Sequence, residues 1–231
     1  MLRDMWLITV KDIRIELASR VVAAQILPFG LLVLILFGMA ISPDLAVVGP
    51  ERRSVLEEIA PGLFWITVLL SSLMALGRSF AVESADGNLD AILMAGMDPA
   101  GVFLGKAGAV LAQMIAVEIV LGFGAFVVFG APIDDPGLLA ATVALATCSI
   151  ALAGTLYASV GAGLRSRDTL VPLLALPVLA PVLLAATMAT RDALFTDATV
   201  AGWPWAMLLA VFALLYLGVG MIAFGPLMEE T

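Results

Sequence analysis

The chain has 231 residues, 62% of them hydrophobic and 13% charged, against roughly 45–50% apolar and about 25% charged in soluble domains. This is the composition of an integral membrane protein. One cysteine (Cys148) and no histidine exclude disulfide frameworks, Cys/His zinc sites, Ser-His-Asp triads and imidazole haem ligands, so no catalytic residue, metal site or directly bound cofactor is expected. The net charge of −8 is spread over short connections and the Glu229-Glu230 end and points to no nucleic-acid partner.

Residues 1–20 carry Asp4, Asp12 and Glu16 ahead of a run of about twenty apolar residues, which argues against a cleaved signal segment. Trp6, Val10, Ile13 and Leu17 fall within a narrow arc at 3.6 residues per turn, with Asp4, Lys11 and Arg14 elsewhere. An interfacial helix is therefore expected over 1–20. Ile8 and Ile15 lie on the opposite face and blur the pattern; a plain extension of the first span is the alternative.

Apolar runs long enough to cross a hydrocarbon core of about 30 Å occur at about 21–42, 60–82, 104–130, 138–163, 169–189 and 203–226. The expected fold is a single all-α membrane domain over 1–231 with six spans and a cytoplasmic coupling loop at 83–100. Spans four and five are separated by Arg165-Ser166-Arg167-Asp168, because merging them would bury three charges. Basic residues accumulate on the cytoplasmic side. With both termini inside, Arg3, Lys11, Arg14, Arg20, Arg78, Lys106, Arg165 and Arg167 are cytoplasmic, and Arg52, Arg53 and Arg191 are outside. Arg78, Lys106, Arg165 and Arg167 are the expected cytoplasmic anchors of their spans, with Lys106 snorkelling from span three.

Between spans two and three, residues 77–106 read GRSFAVESADGNLDAILMAGMDPAGVFLGK. Glu83, a turn at Asp86-Gly87, Asp90, and Leu89, Ile92 and Leu93 at helical spacing describe a short amphipathic helix outside the bilayer, suited to docking on another protein. Gly101 to Lys106 resembles a phosphate loop only superficially. Three residues separate the glycines instead of four, and Ala107 stands where a Mg²⁺-binding hydroxyl is needed. The Gly101/Gly105 pair is expected to be a chance match in so Gly- and Ala-rich a chain.

Glu118 lies twelve residues beyond Lys106, about 18 Å along a helix, near mid-membrane. A carboxyl at that depth is costly and marks a functional candidate, with a hydrogen-bonded packing role as the alternative. Span five carries Pro172, Pro177 and Pro181, either a hinge or a static kink. Cys148 and most methionines are packing residues, nothing around Tyr157 and Tyr216 raises haem ligation, and Trp6, Trp65, Trp203 and Trp205 are expected at the membrane interfaces.

KDIRIELASR before span one, APGLFWITVLLSSLMALGRSFAVESADGNLDAILM through span two, FLGK at span three and VPLLALPVLAPVLLAAT in span five closely resemble the CcmB family, the haem exporter B proteins of cytochrome c maturation. The likeness covers nearly the whole chain. It implies a six-span permease subunit of an ATP-binding cassette complex in a bacterial or organellar inner membrane, two copies per complex. ATP would be bound by a separate ATPase, and haem handled by the complex through a second membrane subunit and a periplasmic haem chaperone. Glu83, Asp86, Gly87, Leu89, Asp90, Ile92 and Leu93 would then form the coupling helix in a cleft of the ATPase. One departure is that Gly96 and Asp98-Pro99 stand where the family has a proline and an arginine-containing turn. The alternatives are a permease for a drug, lipid or polysaccharide, or a non-translocating anchor for the ATPase.

Overall fold

The computed structural model describes residues 1–41, 55–85, 96–130, 132–161, 167–195 and 201–229, with the backbone alone at 77–85, 161, 167–173 and 228–229. All regular elements among them are helical. They are α1 (Leu2–Ser19), a π-helical turn (Val22–Ile26) leading into α2 (Leu27–Ala40), α3 (Val55–Ala85), α4 (Pro99–Phe129), α5 (Pro136–Gly161), α6 (Arg167–Leu194) and α7 (Gly202–Glu229). Six stretches are long and apolar enough to cross a membrane: Val22–Ala40, Val55–Leu76, Pro99–Phe129, Pro136–Val160, Leu174–Leu194 and Gly202–Leu227. The six expected spans are all present. Spans two and three start five residues earlier than their apolar runs suggest, because charged or turn-forming first turns (Glu57, Glu58; Asp98-Pro99) begin a helix before hydrophobicity does.

In lipid every helix has apolar surroundings, so helices associate through close packing of small residues instead of through hydrophobic burial. The fully buried face of α6 shows this. Ala175, Leu179, Val182, Ala186, Ala189 and Ala193 are all 0% exposed and follow a 4-3-4-3-4 spacing, a seam of mostly alanines that brings α3, α5 and α7 close. α6 runs unbroken through Pro172, Pro177 and Pro181. On α5, Gly154 receives the Leu76 side chain of α3, and on α7, Gly220 receives the Phe103 ring of α4. Ser149 on α5 donates to the Leu209 carbonyl of α7 at 3.1 Å, which satisfies a hydroxyl that lipid could not.

Trp65 is not an interface anchor. It is fully buried, ten residues into α3, and its indole Nε1 donates to Thr190 Oγ1 of α6 at 2.8 Å. The early start of α3 draws it into the bundle. Trp6 and Trp203 are exposed, and Trp205 is half-buried.

The end of the bundle remote from α1 is tied together by α6. Arg191 pairs with Glu58 of α3, Asp192 Oδ2 accepts the Gly202 N–H at 2.6 Å, and the Ala193 carbonyl accepts the N–H groups of Asp134 and Asp135 at 3.1 and 2.9 Å.

A methyl group at Gly220 would press on three carbons of the Phe103 ring, which is fully buried and packed on Phe224 with centroids 5.6 Å apart. Gly220→Ala is expected to lower stability by about 1–3 kcal/mol, read as a lower thermal midpoint in detergent. Gly218→Ala, where a Cβ meets nothing within 4 Å, is the control.

Candidate functional site

α4 has 31 residues, about 46 Å of helix at 1.5 Å per residue, which overshoots a hydrocarbon core of about 30 Å. Its far half exposes Ile119, Phe123, Phe126 and Val127, as a lipid-facing surface does. The overshoot therefore falls in its first turns, and α1 docks there. Asp98 N-caps α4, accepting the Ala100 N–H at 3.2 Å, with Pro99 in the first turn and Gly96 in the left-handed region just before it. This is what the Gly96/Asp98-Pro99 departure does: it turns the chain sharply into α4.

Gly101, Gly105 and Gly108 form the groove that receives α1. A Cβ at Gly101 would lie 2.8 Å from the Met1 carbonyl, one at Gly105 2.7 Å from the Met5 carbonyl and 2.6 Å from Ile8 Cβ, and one at Gly108 3.2 Å from Thr9 Oγ1. Thr9 donates from Oγ1 to the Gly105 carbonyl at 2.9 Å. Contact positions rise together along both helices, so α1 runs in the same direction as α4. The Gly101/Gly105 pair is thus a working contact and not a chance match. A 4-3 glycine spacing on one face was the available signal.

Ile8 is the apolar key of this seam, buried at 3% exposure, and Trp6 and Leu17 face away from it. One apolar face of α1 is buried against α4 and the other is exposed, which is why Ile8 blurs a single-arc reading. Lys106 is not a snorkelling anchor: it is 1% exposed, covered by α1, with Nζ 3.7 Å from Asp12 Oδ2. Lys11 flanks the same carboxylate at 3.0 Å. Asp4 accepts the Asp98 N–H at 3.4 Å, with Arg3 3.6 Å away. The Asp98 amide, helped by nearby positive charge, holds Asp4 below the usual carboxylate range.

Glu118 sits farther along α4, 5% exposed. Thr147 Oγ1 of α5 lies 2.9 and 2.7 Å from its two carboxylate oxygens and 2.6 Å from the Val143 carbonyl. The hydroxyl has one proton for three oxygens, so a donor at position 118 would complete the set. Glu118 shares a small void with Ser71, Ser72 and Gln113, and also borders a groove of about 280 Å³ walled by Phe64, Phe126 and Phe129. No sequence signal pairs Glu118 with Thr147, 29 residues away.

Of the expected docking residues, Glu83 lies on the last turn of α3, and Asp86, Gly87, Leu89, Asp90, Ile92 and Leu93 lie outside the described residues. Arg78 is on α3 and Arg167 begins α6; Arg165 lies outside the described residues. Among the described residues no cluster of His, Cys, Asp and Glu could hold a metal.

With Cys148 replaced by Ala, a cysteine pair at Thr9 and Gly108 is expected to cross-link readily, and Gly105→Leu, which drives α1 off its groove, to abolish the cross-link. Because Asp4 ionises more easily when docked, its contribution is complete above the ordinary carboxylate range and is lost as pH falls through its lowered value. Cross-linking yield, measured with a pH-insensitive thiol reagent, should therefore drop below about pH 4, and Asp4→Asn should flatten that dependence.

Residues 3–228 match the family model described as CcmB protein. The chain is 36% identical to "Heme exporter protein B" of Paracoccus denitrificans (strain Pd 1222) over 166 residues, 67% of this chain and 74% of that protein. To the protein of the same name from Bradyrhizobium diazoefficiens it is 30% identical over 217 residues, 92% of this chain and 91% of the relative. In Escherichia coli (strain K12) the corresponding match is 35% over 101 residues, 44% of this chain and 42% of the relative. A match that runs through all six spans and the α1–α4 seam places this multi-pass helical membrane protein in the CcmB family.

Proposed function

We propose that this chain is the membrane permease subunit of an ATP-binding cassette haem exporter serving cytochrome c maturation, in which a separate subunit hydrolyses ATP. The observation that carries this reading is the family match over residues 3–228, together with relatives named heme exporter protein B. The chain's own chemistry is consistent with a divided task. It has no histidine to ligate haem iron, and Gly101 to Ala107 lacks the spacing and hydroxyl of a nucleotide loop. Haem is then handled by a second membrane subunit and passed to a periplasmic chaperone, and ATP is bound by the partner. Two copies of the chain work with two ATPase subunits, in an inner membrane with both termini cytoplasmic, as the Lys/Arg distribution favours. α1 then lies at the cytoplasmic boundary, its Trp6/Leu17 face toward the headgroups.

The force-bearing segment is 83–93. Leu89, Ile92 and Leu93 supply apolar contact in a cleft of the ATPase, Glu83, Asp86 and Asp90 set polar register, and Gly87 makes the turn. Movement of that segment passes through Gly96 and Asp98 into the first turn of α4, and from there both to the α1 seam and along α4 to Glu118. Hydrolysis is thereby coupled to haem export or to release of the loaded chaperone.

Leu89→Glu with Leu93→Glu is expected to abolish co-purification of the ATPase with a membrane-inserted chain; a full complement of bound ATPase would contradict the docking assignment. Glu118→Gln keeps volume and adds the donor that Thr147 lacks. It is expected to leave assembly and ATPase activity intact while lowering the yield of c-type cytochromes by at least about tenfold. Normal cytochrome yield would reduce Glu118 to a packing role, and unaffected c-type cytochromes in a strain lacking the chain would favour an exporter of another substrate.

A further inference from the structure

α4 borders three cavities in succession, and the residues they share lead to Glu118. The first lies under the elbow at Arg20, whose left-handed backbone (φ 55) turns the chain between α1 and the π-helical turn. It is a cleft of about 540 Å³, lined on the α1 side by Asp12, Glu16 and Arg20 and on the α4 side by Ala109, Ala112 and Gln113. The second is a void of about 10 Å³ between α3 and α4, which shares Ala75 and Gln113 with the cleft. The third is the groove of about 280 Å³ walled by Phe64, Phe126 and Phe129, which shares Glu118 with the void.

The void has the size and lining of a water site. Its volume suits one molecule, and Ser71, Ser72, Gln113 and Glu118 all line it. Ser71 is 3% exposed, and its Oγ has no hydrogen-bond partner among the described residues. Its neighbours on α3 bond back onto their own helix, Thr67 to the Leu63 carbonyl at 2.8 Å and Ser72 to the Leu69 carbonyl at 2.7 Å. The Ser71 hydroxyl does not, and a Cβ at Gly30 would lie 3.1 Å from it, so the glycine on α2 leaves it room. A buried hydroxyl placed this way calls for a partner that the helices do not supply.

The two sides of Glu118 differ in chemistry. The cleft carries three charged side chains and Arg20 is exposed, which keeps water above Gln113. Gln113 and Glu118 are five residues apart, about 7.5 Å of helix, a distance that one water and two side chains bridge. The groove is apolar apart from Glu118 and Thr190, whose Oγ1 accepts the Trp65 indole N–H. It lies beside Ile119 and Phe126, which face outward as lipid contacts do. Among the residues lining the void and the groove, Glu118 is the sole titratable one; Cys148, next to Thr147 on α5, is close enough to feel its charge.

We propose that the Ser71 void is an internal water site, and that through it Glu118 exchanges its proton with the cleft under α1, from one side of the membrane only. Ser71 Oγ donates to the water, and the water donates to Glu118 and to Ser72 Oγ, whose own proton is given to the Leu69 carbonyl. In the exchange an O–H bond forms at Glu118 as one breaks on this water, which recovers a proton from the next water at Gln113; no other bond changes. A protonated Glu118 supplies the donor that Thr147 lacks among its three oxygens, and carboxyls at membrane depth act as proton relays where a wet cavity reaches them. The site belongs to the packing of this chain, whatever the complex exports.

The test is infrared spectroscopy of the full chain in nanodiscs, with Cys148 replaced by Ala and the Glu118 carboxyl stretch assigned by its loss in Glu118→Gln. On transfer to heavy water the band is expected to shift within the mixing time. Gln113→Leu keeps volume and removes the polar link, and a bulky methanethiosulfonate adduct on Ala112→Cys fills the exposed floor of the cleft. Each should slow the shift by at least about tenfold. The same adduct on Gly122→Cys in the groove, where a Cβ meets nothing within 4 Å, should leave the rate unchanged. Slowing by the groove adduct and not by the cleft adduct would overturn the route. A band that does not shift over hours, or that appears at no pH the fold survives, would overturn the exchange itself, and the adduct result decides even if Gln113→Leu fails to fold.

Discussion

Everything in this molecule is organised by how closely other helices can approach α4. Within a bilayer, burying apolar side chains against one another gains little over leaving them in lipid, so backbone proximity decides which faces meet. α4 offers proximity on several sides. Gly101, Gly105 and Gly108 admit α1 to the point where its carbonyls would clash with any Cβ. Farther along, Leu121 fits over Gly30, and back beside Gly101 the Phe103 ring fits over Gly220. The helix is also longer than the membrane is thick, which gives it one stretch for lipid and one for a docking partner.

The polar groups follow the same geometry. The buried Lys106 has Asp12 over it, and Asp12 is brought there as the glycine groove draws α1 in. Glu118 is handled differently, by a hydroxyl from α5. In the proposed exporter both lie on the mechanical path that starts at the segment before Gly96, which gives an apolar helix two polar points at which movement can be resisted or released.

Much of this was legible in the residues. Six spans follow from six apolar runs, because hydrocarbon permits only internally bonded backbone and each run is long enough to cross. The family resemblance was legible for the same kind of reason, since the polar punctuation between spans is distinctive. Periodicity misjudged the seam. It assigned α1 one apolar face, whereas the helix has two, with Ile8 turned to protein and Trp6 turned away. It also placed Trp65 at an interface from its distance to the end of an apolar run, although the helix had already begun at Val55.

The sequence alone therefore determined the class of fold, the number of spans, the end of the bundle at which positive charge gathers, and the lack of histidine. These depend on composition and local order, which the bilayer reads directly. Tertiary structure alone decided that Gly101 and Gly105 are a contact, that Lys106 lies under α1, that Thr147 faces Glu118, and that Arg20 bends the chain over an open cleft. Each of these depends on which faces of two distant helices come within a few ångströms, and helical periodicity says where a face points without saying what it meets.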